Sequence, residues 1–159
     1  MEILKLDETN LVKNDDGIWE YKDAIDFDGA IEIAENLRYV RFALSIRATR
    51  YIWAKAGTGI EAGEGIKAGW GIEAGWGIKA GWGIEAGWGI EAGWGIKAGE
   101  GIKAGEGILT LYSGGLSAKW VVALRVALGF NLTKDRELQI IKADLREETP
   151  VILGKVEAP

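Results

Sequence analysis

Aliphatic residues recur at every sixth position through the middle of the chain. Nine hexads run from Lys55 to Ile108. Most have the form X-Ala-Gly-Z-Gly-Ile, where X is Glu or Lys and Z is Trp or Glu. The nine hexads end at Ile60, Ile66, Ile72, Ile78, Ile84, Ile90, Ile96, Ile102 and Ile108. A six-residue period does not match the 3.6-residue helical turn, and each glycine costs a helix about 1 kcal/mol. The pattern therefore predicts short strands rather than helices.

A strictly phased repeat of short strands is typical of a β-solenoid, or β-helix, whose coils stack about 4.8 Å apart. Weaker hexads flank the strict block, at Ile25, Ile31, Leu37, Ile46 and Ile52 before it and at Leu116, Val122 and Leu128 after it. Two extra residues break the spacing after Ile52 and again after Ile108. These breaks are nine hexads apart, so they share a corner in a coil of three hexads but not in a coil of two. We therefore predict an all-β, single-stranded, three-sided solenoid of about eighteen residues per coil and four to six coils.

The chain is predicted to form a single domain over residues 1–159, with the solenoid at 25–130 and the strict hexads at 55–108. Residues 1–24 are expected to cap one end, because the Asn14–Gly17 turn separates Leu11-Val12 from Ile18–Tyr21 and favours a hairpin. Residues 131–159 are expected to cap the other end, because an open strand edge needs cover. Strands are predicted there over Leu138–Ala143 and Pro150–Val156.

Segments such as Ile72-Glu73-Ala74 place an acidic and a small residue after the aliphatic one. In this the repeat resembles the left-handed hexapeptide-repeat β-helices. The match is partial, because that family has a small residue two positions before the aliphatic one, where this chain has Trp70, Trp76, Trp82, Trp88 and Trp94. The Gly-Trp-Gly hexads also resemble small Gly/Trp-rich solenoid proteins of phages and mobile elements and, more loosely, the polymer-forming bactofilins. The resemblance covers residues 25–130 and implies a scaffold or interaction role.

Composition removes most enzyme chemistry. The 159 residues include no His and no Cys, which excludes Ser-His and Cys-His nucleophiles, the usual zinc sites and disulfides. Acyltransferases among the hexapeptide-repeat proteins use a catalytic histidine, so their activity is not expected here. With no recognisable nucleophile–base pair or cofactor loop, we predict a protein that is not an enzyme and needs no cofactor or metal. The alternative is a glycosidase, which requires two carboxylates at a set separation, one with a raised pKa.

Charge is segregated along the chain, although the net charge is only −5. Residues 1–36 carry 11 acids and three lysines, whereas residues 37–55 carry four arginines, one lysine and no acid. We expect the two segments to face each other within the fold or across a dimer, since a nucleic-acid binder usually has a net basic domain. Mimicry of nucleic acid by the acidic segment is an alternative. In an eighteen-residue coil, the charges that follow the isoleucines stack as the ladders Glu61-Lys79-Lys97, Lys67-Glu85-Lys103 and Glu73-Glu91.

The five repeated tryptophans form the predicted partner-binding site: Trp70, Trp76, Trp82, Trp88 and Trp94. Simple strand alternation would place them inside with Ile and Ala. However, the same hexad position also holds Thr58, Glu64, Glu100 and Glu106, which would be costly inside an Ile-lined lumen. We therefore predict that the indoles point outward from Gly-Trp-Gly turns and contact a partner or another copy, with charge at the margin. The alternative is that they cover the molecule's own isoleucine corners or drive incidental self-association.

Three functions are open. The favoured one is a non-catalytic protein-interaction module of phage or mobile-element type, including an anti-CRISPR-like inhibitor that covers a surface of a host defence protein. The alternatives are a self-assembling structural solenoid and a carbohydrate binder with a Trp ladder. The start of the chain does not read as a secretory signal, and no apolar stretch reaches the roughly 20 residues of a membrane span. These features predict an intracellular protein, and the resemblance to phage and mobile-element proteins implies the cytoplasm of a bacterial host cell. We expect a protein partner or a homo-oligomer rather than nucleic acid or membrane.

Overall fold

The computed structural model describes residues 2–111, 115–123, 125–128, 140–145, 151–153 and 155–157. The regular structure in these residues is all β-strand, as predicted. Within the same ranges, no helix is long and apolar enough to cross a membrane.

Most strands are only three to five residues long. The first eleven are β1 (Ile3–Leu6), β2 (Val12–Lys13), β3 (Trp19–Tyr21), β4 (Ile25–Phe27), β5 (Ala30–Ile33), β6 (Arg38–Phe42), β7 (Ile46–Ala48), β8 (Ile52–Ala54), β9 (Thr58–Ala62), β10 (Ile66–Ala68) and β11 (Ile72–Ala74). The next eleven are β12 (Ile78–Ala80), β13 (Ile84–Ala86), β14 (Gly89–Ala92), β15 (Ile96–Ala98), β16 (Gly101–Ala104), β17 (Gly107–Thr110), β18 (Leu116–Val122), β19 (Arg125–Leu128), β20 (Ile140–Leu145), β21 (Val151–Leu153) and β22 (Lys155–Glu157).

The strands stack in parallel as the three sides of a coil. Face 1 consists of β1, β5, β8, β11, β14, β17, β19 and β21. Face 2 contains β3, β6, β9, β12 and β15, and face 3 contains β4, β7, β10, β13 and β16. β18 belongs to both of the latter faces, because Leu116 is the register partner of Ile96 on face 2 and Val121 is that of Ile102 on face 3.

The register confirms the predicted coil. Ile60, Ile78 and Ile96 are successive partners on face 2, so neighbouring coils are eighteen residues apart. The solenoid has about five such coils. Both breaks in the hexad spacing fall at the corner from face 1 to face 2, since Ile52 and Ile108 lie on face 1 and the next aliphatic residues lie on face 2.

The lumen is filled by isoleucine and alanine. In each Ile-x-Ala strand the first and third side chains are buried and the middle one points outward, as strand alternation requires. Each fully buried isoleucine stabilises the fold by about 1.5–3 kcal/mol. The repeat therefore supplies the core, and the middle residue of each strand supplies the outer surface.

Three of the weaker hexads differ from the prediction. Leu37 is buried in the long turn between β5 and β6, which we call the wide corner together with the long turn between β8 and β9 that follows it one coil later. Val40 takes the stacking position opposite Ile60. The backbone of the β5–β6 turn takes positive φ at Asn36 (62°) and Arg38 (63°), a conformation uncommon for residues other than glycine. After the strict block, Val121 and Val126 occupy the positions expected for Val122 and Leu128. The reason is that β18 passes through its corner as a continuous strand, without the turn residues of the strict hexads.

The ends of the chain add strands to the stack. The predicted N-terminal hairpin is present, with Val12 opposite Glu20 in an antiparallel pair and Gly17 at a φ of 75° in the turn. β1 and β3 also join faces 1 and 2 in parallel. The two predicted C-terminal strands correspond to β20, β21 and β22, which pair in parallel with β18, β19 and β20. Residues 131–139 and 146–150 lie outside the described residues.

The acidic and basic segments meet within the fold. Arg47 pairs with Asp26 at 3.3 Å, and Lys55 pairs with Glu32 at 3.8 Å. Both contacts join residues one coil apart, so part of the charge segregation in the sequence is neutralised between the first coils.

Candidate functional site

The five repeated tryptophans lie at the turns between faces. At each turn the tryptophan amide donates to a carbonyl one coil earlier, for example Trp88 N to Trp70 O at 2.7 Å and Trp94 N to Trp76 O at 3.2 Å. The turns therefore form columns along three corners. We call them corner A (from face 3 to face 1), corner B (from face 1 to face 2) and corner C (from face 2 to face 3).

The indoles point outward, as predicted. Trp82, Trp88 and Trp94 are 61%, 55% and 52% exposed, and Trp70 and Trp76 are half-buried. The turn explains this direction, because the strands on either side already direct Ile and Ala into the lumen. Thr58, by contrast, occupies the same hexad position but is fully buried at the wide corner.

The five tryptophans divide among the three corners. Corner A carries Trp70 and Trp88, corner B carries Trp76 and Trp94, and corner C carries Trp82 alone. Face 1 therefore lies between two tryptophan pairs, and Trp82 lies away from it. The eighteen-residue period already contains this pairing, because Trp70 and Trp88 differ by eighteen positions, as do Trp76 and Trp94.

Corner A is an ordered stack. The rings of Trp70 and Trp88 are parallel within 6°, with centroids 5.2 Å apart. The Arg50 guanidinium carbon lies 4.8 Å from the Trp70 ring centroid, so a cation covers one end of the stack. The next turn residue in this column is Glu106, whose amide donates to Trp88 O at 2.7 Å.

Corner B is supported by a tyrosine. Tyr39 meets Trp76 edge to face, with ring centroids 5.9 Å apart and planes at 70°. Lys79 Nζ lies 4.4 Å from the Tyr39 centroid. Partial burial of the phenol raises the pKa of Tyr39. Tyr39, Trp76 and Trp94 together line a cleft of about 370 Å³.

Face 1 carries a further exposed tryptophan, Trp53, that sequence reasoning missed. Trp53 is 37% exposed and is the register partner of Glu32 and Glu73 in the outward column of this face. Leu109 continues the same column after Glu91. The sequence position of Trp53 could have revealed this exposure. Trp53 directly follows Ile52, and the strict hexads have an outward Glu or Lys at that position.

Two grooves flank the outward column of face 1. Groove A, of about 630 Å³, runs between the column and corner A. Groove B, of about 460 Å³, runs between the column and corner B. The side chains of groove A include Tyr51, Trp53, Glu73, Trp88, Glu91, Glu106 and Leu109. Both grooves are open because glycines form their floors: Gly71, Gly89 and Gly107 in groove A, and Gly57, Gly75 and Gly93 in groove B.

The predicted charge ladders are present, and they differ from face to face. On face 3, Lys67 pairs with Glu85 at 3.1 Å, and on face 2, Arg41 pairs with Glu61 at 3.2 Å. On face 1, Glu73 stands directly beside Glu91. Partial burial, and then the charge of Glu73, raise the pKa of Glu91. Face 1 therefore presents negative charge between aromatic edges.

The described residues contain no group of three or more His, Cys, Asp or Glu that could hold a metal ion. Glu73 and Glu91 meet part of the glycosidase requirement, since they share both grooves and the pKa of Glu91 is raised. They project side by side from neighbouring strands, however, whereas glycoside hydrolysis needs two carboxyl groups that flank the scissile bond.

No family model, curated protein or solved structure matches this chain. The resemblance to phage and mobile-element solenoids therefore stays a prediction, and function is argued from the surface itself.

Proposed function

We propose that the chain is a non-catalytic protein-interaction module and that face 1 with its two tryptophan edges is the contact surface. The observation that carries this proposal is the position of face 1 between the stacked pair on corner A and the pair on corner B. We call this the face 1 surface and define it as Trp53, Trp70, Glu73, Trp76, Trp88, Glu91 and Trp94.

The area and composition of the surface support a protein partner. A tryptophan offers about 150–250 Å² when fully exposed. Trp53, Trp88 and Trp94 are 37%, 55% and 52% exposed, and the other two indoles are half-buried, so the face 1 surface is comparable to the largest apolar patch of an ordinary monomer, roughly 300–600 Å², which is often functional. Tryptophan is among the residues that most often dominate binding energy at the centre of an interface. The finer proposal, an inhibitor of phage or mobile-element type that covers a host defence protein, rests on the sequence resemblance alone.

The test compares partner capture by matched variants. Trp88 and Trp94 lie at the two edges of face 1, and Trp82 is equally exposed but lies on corner C. The wild-type chain, Trp88→Ser/Trp94→Ser and Trp82→Ser are used as tagged baits in lysate of the native host, with quantitative mass spectrometry. We expect the double variant to lose a partner that Trp82→Ser retains, with about 2 kcal/mol or more lost per indole. Equal capture by all three baits would contradict the proposal.

Self-assembly is the second candidate. β1 and β4 end their sheet orders on faces 1 and 3, and a terminal strand can pair with another chain. Light scattering of the purified protein tests this candidate, which predicts growth in mass with concentration. Carbohydrate binding through a Trp ladder has less support, because the five repeated tryptophans divide among three corners and Trp70 and Trp88 stack on each other.

A further inference from the structure

The column along corner A is closed at one end and open at the other. Arg50, one coil earlier, lies over the ring of Trp70, and Trp88, one coil later, stacks on that ring. Trp70 is the one ring partner of Trp88 among the described aromatic contacts, and Trp88 is 55% exposed. No other described ring or cation covers Trp88, which leaves its ring face toward the Glu106 turn without such a contact.

The ring of Trp88 forms part of the wall of groove A. The groove runs over four stacked strands, from Tyr51 and Trp53 at one end to Leu109 at the other. Four strands at about 4.8 Å spacing span roughly 14 Å, the length of about four extended residues. The floor beside Trp88 is Gly89 and Gly107, so backbone rather than side chain forms it.

The carboxylates that line groove A favour a cationic ligand. Glu91 and Glu106 line the groove together with Trp88, and neither is part of an ion pair in the described part of the chain. Glu73 adds a third carboxylate next to Glu91. Carboxylates beside an exposed indole face suit a flat cation, because a guanidinium stacks on the ring and still donates to carboxylate oxygens in its own plane.

We infer that groove A is a binding site for an arginine side chain in an extended segment of the protein partner, stacked on Trp88 and paired with Glu91 and Glu106. The inference rests on the proposed function and specifies its partner. Arg50 on Trp70 is the same contact made within the chain. Lysine fits less well, since its compact ammonium cannot form the planar, two-sided contact.

The probe is the peptide acetyl-Gly-Arg-Gly-amide, titrated against the ¹⁵N-labelled full chain while the tryptophan indole N–H signals are followed by NMR. We expect the Trp88 signal to shift in a saturable way while the Trp82 signal stays still. The lysine peptide should bind about threefold or more weakly, the neutral citrulline peptide should not saturate, and higher salt should weaken arginine binding. Equal shifts at Trp88 and Trp82, or equal binding of the citrulline peptide, would overturn the inference.

Two variants test whether the arginine peptide binds to the carboxylates of groove A or only responds to the overall negative charge of the chain. Glu91→Gln/Glu106→Gln should weaken the arginine peptide by about threefold or more. Glu85→Gln is the matched control, because Glu85 lies on face 3 and pairs with Lys67, and it should leave affinity unchanged. If both variants behave like wild type, the assignment of the carboxylates is wrong. If partner capture depends on Trp88 and Trp94 but the arginine peptide does not bind, only the arginine site is contradicted. If the peptide binds but no partner is captured, only the proposed function is contradicted.

Discussion

Glu73 and Glu91 stand in register on neighbouring strands of face 1, with Ile72 opposite Ile90 beneath them. None of the described ion pairs includes either carboxylate. Like charges placed directly opposite each other destabilise a sheet. The chain therefore keeps an unfavourable pair on the surface that we propose for binding, whereas Glu61 on face 2 pairs with Arg41 and Glu85 on face 3 pairs with Lys67.

Glu91→Gln is expected to stabilise the folded chain at neutral pH. The pKa of Glu91 is raised in the folded state, so the folded state binds more protons than the unfolded one and stability falls as pH rises through that pKa. The variant should raise the free energy of unfolding at about pH 7 by roughly 0.3–0.5 kcal/mol after solvent screening. Below about pH 3, where the carboxyl is protonated in both states, the gain should vanish. Urea denaturation at both pH values measures it, and a gain that persists at low pH would exclude this electrostatic cause.

The two glycines around Trp88 are expected to differ in their tolerance of alanine. A Cβ on Gly87 would overlap the carbonyl oxygen of Gly69 in the coil below, whereas a Cβ on Gly89 would lie 3.5 Å from the carbonyl oxygen of Gly107, at ordinary contact distance. Gly87→Ala should therefore cost about 2–3 kcal/mol, and Gly89→Ala less than about 1 kcal/mol. Thermal unfolding measures the stability of both variants, and Gly89→Ala is the control for Gly87→Ala. Equal losses of stability would mean that the turns are not held by close backbone contact.

Thr58 is expected to hold the wide corner through its hydroxyl. Its Oγ1 accepts from the Leu37 amide at 3.0 Å and donates to Ala34 O at 2.7 Å, and the residue is fully buried. Thr58→Val removes both hydrogen bonds without loss of volume, so it should cost about 2–3 kcal/mol. Thr58→Ser keeps both bonds and loses one methyl group, so it should cost about 1 kcal/mol. Chemical denaturation should rank the serine variant above the valine variant, and the reverse order would show that packing dominates.

Trp76 and Trp82 are expected to contribute differently to stability. Trp76 is half-buried against Tyr39, so Trp76→Ser should lower the free energy of unfolding by about 1–2 kcal/mol. Trp82 is 61% exposed, so Trp82→Ser should change it by less than about 0.5 kcal/mol. Calorimetry of both variants measures the difference. A large loss for Trp82→Ser would show that this exposed indole also stabilises the fold.

The sequence by itself determined the three-sided coil and the neighbours within each ladder. Both follow from one local rule, the phase of the isoleucines together with the two breaks after Ile52 and Ile108. Once the coil is eighteen residues long, Glu73 must stand beside Glu91 and Lys67 beside Glu85, because parallel strands in register bring equal positions together.

Only the tertiary structure decided what the outward residues meet. The Gly-Trp-Gly turns that hold Trp70 and Trp82 have the same local sequence, so nothing local distinguishes the stacked ring of Trp70 from the exposed ring of Trp82. Thr58 likewise occupies the tryptophan position but is buried, because its corner is wider. Ring stacking, burial and groove depth depend on contacts between coils eighteen or more residues apart, and these form only when the coils are stacked.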